Sequence, residues 1–131
     1  MYGAINILLN MYTEEAQQRW PDQYKESQQR LDKLSKEEQQ ALFNQGDQNY
    51  VEIAELFKAG LSPDHDEVQA VIAKHYEWVC AFWTPNKVAY IGLGEMYVSD
   101  ERFTAYYDKI EPGLAVFMQN SMKIWATNNL A

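Results

Sequence analysis

The residues of this chain that have chemistry to offer are few, and their spacing favours binding over turnover. Cys80 is the single cysteine. It lies between Val79 and Ala81 without the electropositive, partly exposed setting that activates a thiol, so it reads as a packed structural residue. One cysteine leaves no intrachain disulfide and no multi-cysteine zinc site. His75 falls on an apolar stripe, where an imidazole ordinarily hydrogen-bonds a buried neighbour; as a general base it would need a nucleophile or carboxylate that the sequence does not place beside it. Asp64-His65-Asp66-Glu67 matches no metal-ligand spacing and reads as acids at a helix N-terminus, because successive helical positions splay apart. Gly92 and Gly94 sit in a strongly helical segment, each costing up to about 1 kcal/mol relative to Ala. Either two helices approach closely there, or the missing side chains open a groove where a flat ligand meets the backbone. Both readings stay open. Nothing before them reads as a strand, so they are not a dinucleotide fingerprint. With no G-x-S-x-G elbow, phosphate loop or H-E-x-x-H helix, no catalytic constellation is visible. The chain is read as a non-enzyme that calls for no cofactor and no metal.

The unusual feature is aromatic. Four Trp and nine Tyr stand among 131 residues, and such rings suit places where one face is dry and one end is wet. They pack a small core or line a pocket. Hydrophobic residues are 47% and charged residues 23% of the chain, ordinary for one globular domain able to bury a core without staples. The net charge is −8. Residues 1–67 carry 13 acids and 6 bases (−7), residues 68–131 carry 6 and 5 (−1). The densest basic cluster, Arg30 to Lys36, is too sparse for a phosphate backbone, so direct nucleic-acid binding by this chain is not expected. No apolar run approaches the roughly 18 residues of a membrane span. Met1 to Met11 lacks a basic n-region and a small-residue cleavage site, so a cytoplasmic protein is expected.

The elements that must position these residues read as helices, with no hairpin signal. Thr13 with Glu14 and Glu15 predicts a helix start, and Pro21 stops that helix near Trp20. Pro21 opens a second helix carrying Tyr24, Gln28, Leu31 and Leu34. Ser35 and Glu38 form a capping box for a third, with Leu42, Tyr50, Ile53 and Phe57 on one face and Gly60-Leu61 as its stop. Ser62-Pro63 is read as the start of a helix with Val68, Val71, Ile72, His75, Val79 and Phe82 on a stripe. Thr84-Pro85 starts an apolar helix to about Val98, and Ser99 caps a short one with Phe103, Tyr106 and Tyr107. Glu111-Pro112-Gly113 breaks the chain before a last helix with Leu114, Phe117, Ser121, Ile124 and Trp125. Six or seven helices make an all-α domain. Its halves differ: residues 17–48 hold nine Gln and seven apolar residues in 32 positions, residues 68–98 hold twenty apolar residues in 31.

The run Leu93-Gly94-Glu95-Met96-Tyr97-Val98-Ser99-Asp100-Glu101-Arg102-Phe103 resembles the signature of the TipAS antibiotic-recognition domain, the effector domain of thiostrepton-induced regulators in the MerR superfamily. The resemblance extends through Tyr12-Thr13-Glu14-Glu15-Ala16 to Trp20, Tyr24 and Ser27, through His75-Tyr76-Glu77-Trp78-Val79, and through Tyr107-Asp108 and Pro112-Gly113-Leu114-Ala115. It covers residues 12–126, nearly the whole chain. It implies a globin-like all-α fold and capture of bulky aromatic peptide antibiotics, such as thiopeptides, in a deep cleft. In full-length relatives a DNA-binding helix-turn-helix and a coiled-coil helix precede this domain; Met1 to Met11 is too short for them. The chain therefore resembles a stand-alone sequestering form or an excised effector domain. Relatives can use a cysteine just before the Leu-Gly-Glu-Met-Tyr run to attack a dehydroalanine tail, but Gly92 stands there. Cys80 lies about three helical turns away by helical rise, so noncovalent binding is expected.

The resulting expectation is a drug-binding domain over 12–131 behind an N-terminal extension (1–11), with polar helices at 13–61 able to close as a ligand-ordered lid over apolar core helices at 62–131. Trp20, Tyr24, Tyr76, Trp83, Tyr90 and Tyr97 are the rings expected to stack on ligand, with Met96 as an adaptable filler and His75 and Gly92 beside them. The partner is a small-molecule or peptide antibiotic. A haem or other tetrapyrrole binder is the alternative, resting on the globin-like fold and inward His75, although fold does not imply function. A structural interaction module is a third reading, supported only by the acidic surface.

Overall fold

A computed structural model describes residues 21–131, and over them six helices follow one another through short connections. They are α1 (Pro21–Asp32), α2 (Lys36–Lys58), α3 (Asp66–Cys80), α4 (Lys87–Ser99), α5 (Glu101–Ile110) and α6 (Leu114–Asn129). The expectations on Thr13, on the helix ending near Trp20, and on Trp20 itself fall outside the described residues. Among those described, no helix is long and apolar enough to cross a membrane.

The helix ends show how local chemistry sets the boundaries. Ser35 and Glu38 form the predicted capping box: the Glu38 N–H donates to Ser35 Oγ and the Ser35 N–H to Glu38 Oε1, both at 3.1 Å. At the other end of α2, Gly60 takes a left-handed φ of +84°. Its N–H donates to the Phe57 carbonyl (3.0 Å) and that of Leu61 to the Leu56 carbonyl (3.2 Å), the paired bonds of a Schellman stop.

Three predicted starts lie elsewhere. Ser62-Pro63 forms a turn instead, with Ser62 Oγ donating to Asp64 Oδ1 at 2.6 Å, and α3 begins only at Asp66 because His65 Nδ1 accepts the Glu67 N–H at 3.1 Å. After Thr84-Pro85 the cap is Asn86, whose Oδ1 accepts the Ala89 N–H at 2.9 Å. Ser99 is the last residue of α4, and Asp100 caps α5 by accepting the Arg102 N–H at 3.0 Å. In each case a side chain one to three residues downstream reaches the new helix's orphan N–H groups better than the Ser or Thr does.

Packing is densest between α4 and α6, and α2 lies along α3. A Cβ at Gly94 would stand 3.3 Å from the Gln119 Cα and 3.4 Å from the Met122 sulfur, so this glycine permits the close approach of α4 to α6. At Gly92 an added Cβ meets nothing within 4 Å. The two glycines thus divide the readings left open by the sequence: one packs, the other faces space. Gly46 plays the packing role between α2 and α3, since its Cβ would fall 2.5 Å from the Trp78 ring. Trp78 is fixed there by its indole N–H, which donates to the Leu42 carbonyl at 2.8 Å.

The core runs through Tyr50 and Ile53 of α2, Val68, Ile72 and Val79 of α3, Tyr90 and Tyr97 of α4, Phe103 and Tyr107 of α5, and Leu114, Met118 and Met122 of α6. All six residues of the stripe predicted over 68–82 are buried, the last of them, Phe82, in the turn that follows α3. The polar stretch expected over 13–61 is not uniform in its described part. From Gly46 onward α2 belongs to the core, whereas α1 buries a single residue, Leu31.

Candidate functional site

The predicted site residues separate by depth. His75, Tyr90 and Tyr97 are buried; Tyr24, Tyr76, Trp83, Gly92 and Met96 are half-buried. Trp20 falls outside the described residues. The buried set forms one polar thread through the core. His75 Nδ1 lies 2.7 Å from the Tyr90 hydroxyl, and His75 Nε2 faces the Tyr50 hydroxyl at 3.5 Å. The Tyr107 hydroxyl in turn donates to that of Tyr50 at 3.0 Å, and the Tyr97 ring packs against that of Tyr107 with centroids 4.6 Å apart. Rings from α2, α3, α4 and α5 are thereby tied through their polar tips.

The electrostatics follow from depth. Burial alone pushes the His75 pKa down to about 3, so the imidazole is neutral near pH 7. Burial likewise pushes Tyr50, Tyr90 and Tyr107 well above the usual phenol value and Tyr97 up to about 12. The thread therefore carries no net charge, and its hydroxyls serve as donors and acceptors, not as acids. Both His75 ring nitrogens face phenol hydroxyls, Nδ1 closely and Nε2 at the limit of hydrogen-bond distance, so this imidazole is a packed partner of the thread.

Above the thread the rings reach the surface. Tyr76 of α3 packs against Trp125 of α6 with centroids 4.8 Å apart, and edge-on against Tyr90 of α4 at 5.0 Å. Tyr90 meets Trp125 edge-on at 5.8 Å. Three helices thus build a triangle of rings with buried Tyr90 as its floor and half-buried Tyr76 and Trp125 as its rim. The Tyr76 hydroxyl donates to the Pro85 carbonyl at 2.7 Å, which ties the rim to the α3–α4 connection carrying Trp83. Cys80 is half-buried; burial first, then the neighbouring Cys80, raises the Tyr76 pKa.

The structure brings Tyr76, Tyr90 and His75 together and places Tyr97 deeper along the thread. Gly92 and Met96, four residues apart, share a face of α4 that Tyr90 does not. Cys80 ends α3 while Gly92 lies within α4, so a helical-rise separation between them does not apply. From the sequence Trp125 and Tyr50 are legible only as residues of helix stripes, and Tyr107 as a stripe residue within the Tyr107-Asp108 block of the family resemblance. The available signal for Trp125 was its place in the last helix beside inward Ser121. No sequence signal joins Tyr50 to Tyr107. Among the described residues no group of three or more His, Cys, Asp or Glu could hold a metal ion.

Comparison with known proteins agrees with this architecture. Residues 12–125 match the family described as the TipAS antibiotic-recognition domain. The HTH-type transcriptional activator TipA of Streptomyces coelicolor is 32% identical over 86% of this chain and 46% of its own length. The HTH-type transcriptional activator mta of Bacillus subtilis is 30% identical over 76% of this chain and 38% of its own length. The HTH-type transcriptional regulator SkgA of Caulobacter vibrioides is 34% identical over 57% of this chain and 30% of its own. The chain thus spans less than half the length of these curated relatives. A solved structure of TipAS from Streptomyces lividans, in complex with nosiheptide in a thiopeptide antibiotic multidrug resistance system, superposes with a TM-score of 0.80 at 30% identity, covering 91% of this chain and 85% of that one. Matched along nearly its whole length in sequence and in fold, the chain belongs to the TipAS antibiotic-recognition domain family, a non-enzymatic ligand-binding domain of MerR-type transcriptional regulators.

Proposed function

We propose that this chain binds bulky aromatic peptide antibiotics of the thiopeptide class, noncovalently, as a sequestering domain or as the effector part of a MerR-type regulator of drug response. The observation that carries the reading is the likeness, at a TM-score of 0.80, to a TipAS domain holding nosiheptide. The rim of Tyr76 and Trp125 over Tyr90 supports it, because half-buried rings with few polar groups suit stacking on planar heterocycles. Tyr24 and Trp83 are further rings proposed to meet such a ligand, and Met96 with the open side of α4 at Gly92 would meet it from a second face of that helix. His75 and Tyr97 act from behind, holding the ring floor in place. The cytoplasm is the setting this reading requires, since the relatives are transcriptional regulators.

Ligand would also strengthen docking of the polar N-terminal segment, with Trp20 and Tyr24 the rings proposed to close over it. Burial of apolar surface contributes about 25 cal/mol per Å², and α1 buries little without help. Titration with nosiheptide followed by tryptophan emission tests the reading: saturable quenching is expected, and its absence across a thiopeptide panel rejects it. Mass spectrometry of the denatured complex should return unmodified protein, because position 92 is glycine; a stable adduct on Cys80 would refute noncovalent capture. No duplex DNA should be retarded by this chain alone at physiological salt, given its net charge of −8.

A further inference from the structure

One side chain holds α1 to the rest of the domain through polar contacts on two other segments. The Arg30 guanidinium donates through Nη1 to the Cys80 carbonyl at the C-terminus of α3. Through Nη2 it donates to Thr84 Oγ1 in the α3–α4 connection at 3.2 Å and to Glu26 Oε2 on its own helix at 2.8 Å. Carbonyls of a helix's last turn lack an intrahelical partner and carry the negative end of its dipole, so a cation there is doubly favoured. The planar fork of Arg can reach these partners at once, which a lysine ammonium cannot do with the same geometry. The segment it grips is the one that carries Trp83 and the Pro85 carbonyl that receives the Tyr76 hydroxyl.

We propose that Arg30 is a positioning residue for the ligand-binding face: its fork latches α1 onto the α3 terminus and, through Thr84, sets the connection that places Trp83 and Tyr76. The proposal rests on the reading of that face as a ligand site, but the latch itself is measurable without ligand. Glu26 has a lesser part. Its contact with Arg30 is a partly exposed pair within one helix, of a kind that contributes little.

The test is hydrogen exchange, two-dimensional NMR and nosiheptide affinity on the 131-residue chain and on Arg30→Ala, Arg30→Lys and Glu26→Gln. Without ligand, Arg30→Ala should lower amide protection across residues 21–34 by about tenfold, from loss of a charge-assisted bond that is partly exposed. The indole resonance of Trp83 should shift, while the unfolding midpoint of the domain stays close to the parent's. Arg30→Lys should fall between the parent and Arg30→Ala, and Glu26→Gln should stay near the parent. Nosiheptide affinity should fall about tenfold in Arg30→Ala. Equal protection of residues 21–34 in Arg30→Ala and the parent overturns the latch. So does an Arg30→Lys that matches the parent, or a Glu26→Gln that matches Arg30→Ala. An unmoved Trp83 resonance, or unchanged nosiheptide affinity in a variant that has lost protection, overturns the positioning role. A parent that binds no nosiheptide rejects the functional reading instead, and the latch is then decided by exchange alone.

Discussion

The α4–α6 pair and α1 solve the same problem, a helix needing a partner, by opposite means. Between α4 and α6 the contact is steric: Gly94 lets backbone approach backbone, and Tyr90, Met118 and Met122 are wholly or almost wholly buried around it. α1 instead offers Leu31 as its one buried residue and relies on directed polar bonds, Arg30 to the Cys80 carbonyl at one point and its own end capped by Gln39 at another. The Gln39 side-chain amide donates to the Leu31 carbonyl at 2.8 Å, so the start of α2 stops α1. Apolar burial is cooperative and hard to remove one group at a time. A few part-buried hydrogen bonds are worth about 1 kcal/mol each and open locally. A domain built this way stays adaptable at α1 while its ring floor stays rigid.

The sharpest way to break the comparison is to attack the dense region. Tyr50→Ala removes a buried ring that contacts His75, Trp78, Tyr106 and Tyr107. Chemical denaturation should show a loss of about 3–5 kcal/mol, shared by α2 through α6 as one transition. A change confined to α2 would mean that the thread does not couple the helices. Next comes acid. His75 is neutral in the folded state with its pKa lowered to about 3, whereas the unfolded chain protonates it near 6.5. The unfolded state therefore binds the extra proton in that window. Stability is fully present above about pH 6.5 and is lost as pH falls toward 3, by about 2 kcal/mol at pH 5 for this one group. Denaturation curves at pH 7 and pH 5 for the parent and His75→Gln check this, because the variant should lose one proton's worth of slope.

The two glycines of α4 give a smaller and more pointed pair. Gly94→Val overpacks the α6 backbone and should cost about 1–3 kcal/mol in thermal unfolding. Gly92→Ala meets no neighbour and should stabilise by up to about 1 kcal/mol through helix propensity. If Gly92→Ala also weakens nosiheptide binding, the open side of α4 is ligand space; if affinity is unchanged, the ligand lies elsewhere. The most local effect belongs to the junction of α1 and α2. Ser35→Ala should cost about 1 kcal/mol, seen as faster amide exchange in the first turn of α2 with that of 87–99 unaltered. Without ligand, amides in 21–34 should exchange before those in 87–99, and equal protection would erase the contrast drawn above.

What the sequence made legible was local or periodic. The capping box at Ser35 and Glu38 and the stop at Gly60 are set by groups a few residues apart, and the α3 stripe repeats with the helix, so all of them can be read along the chain. Ser62, Thr84 and Ser99 misled because capping is a competition. His65, Asn86 and Asp100 win it with geometry that residue type alone does not display. The ring triangle was half legible: Tyr76 and Tyr90 lie in or beside the blocks that resemble the family, whereas Trp125 joins them only through the folding of α6 against α3 and α4. The Tyr50–Tyr107 bond spans 57 positions, and no spacing rule reaches that far. Arg30 was visible only as a charge in the densest basic cluster, since its principal acceptor is a backbone carbonyl that any residue at position 80 would present.

The bond from the Trp78 indole to the Leu42 carbonyl, held over Gly46, has a spectroscopic consequence. Trp78 is 4% exposed, whereas Trp83 and Trp125 are half-buried. Its emission should therefore be blue-shifted and nearly blind to aqueous quenchers such as iodide, a constant background beneath the signal of the other indoles. Its indole hydrogen should persist in heavy water long after those of Trp83 and Trp125 have exchanged. That one resonance would serve as a clock for the parting of α2 from α3, running independently of whatever α1 does.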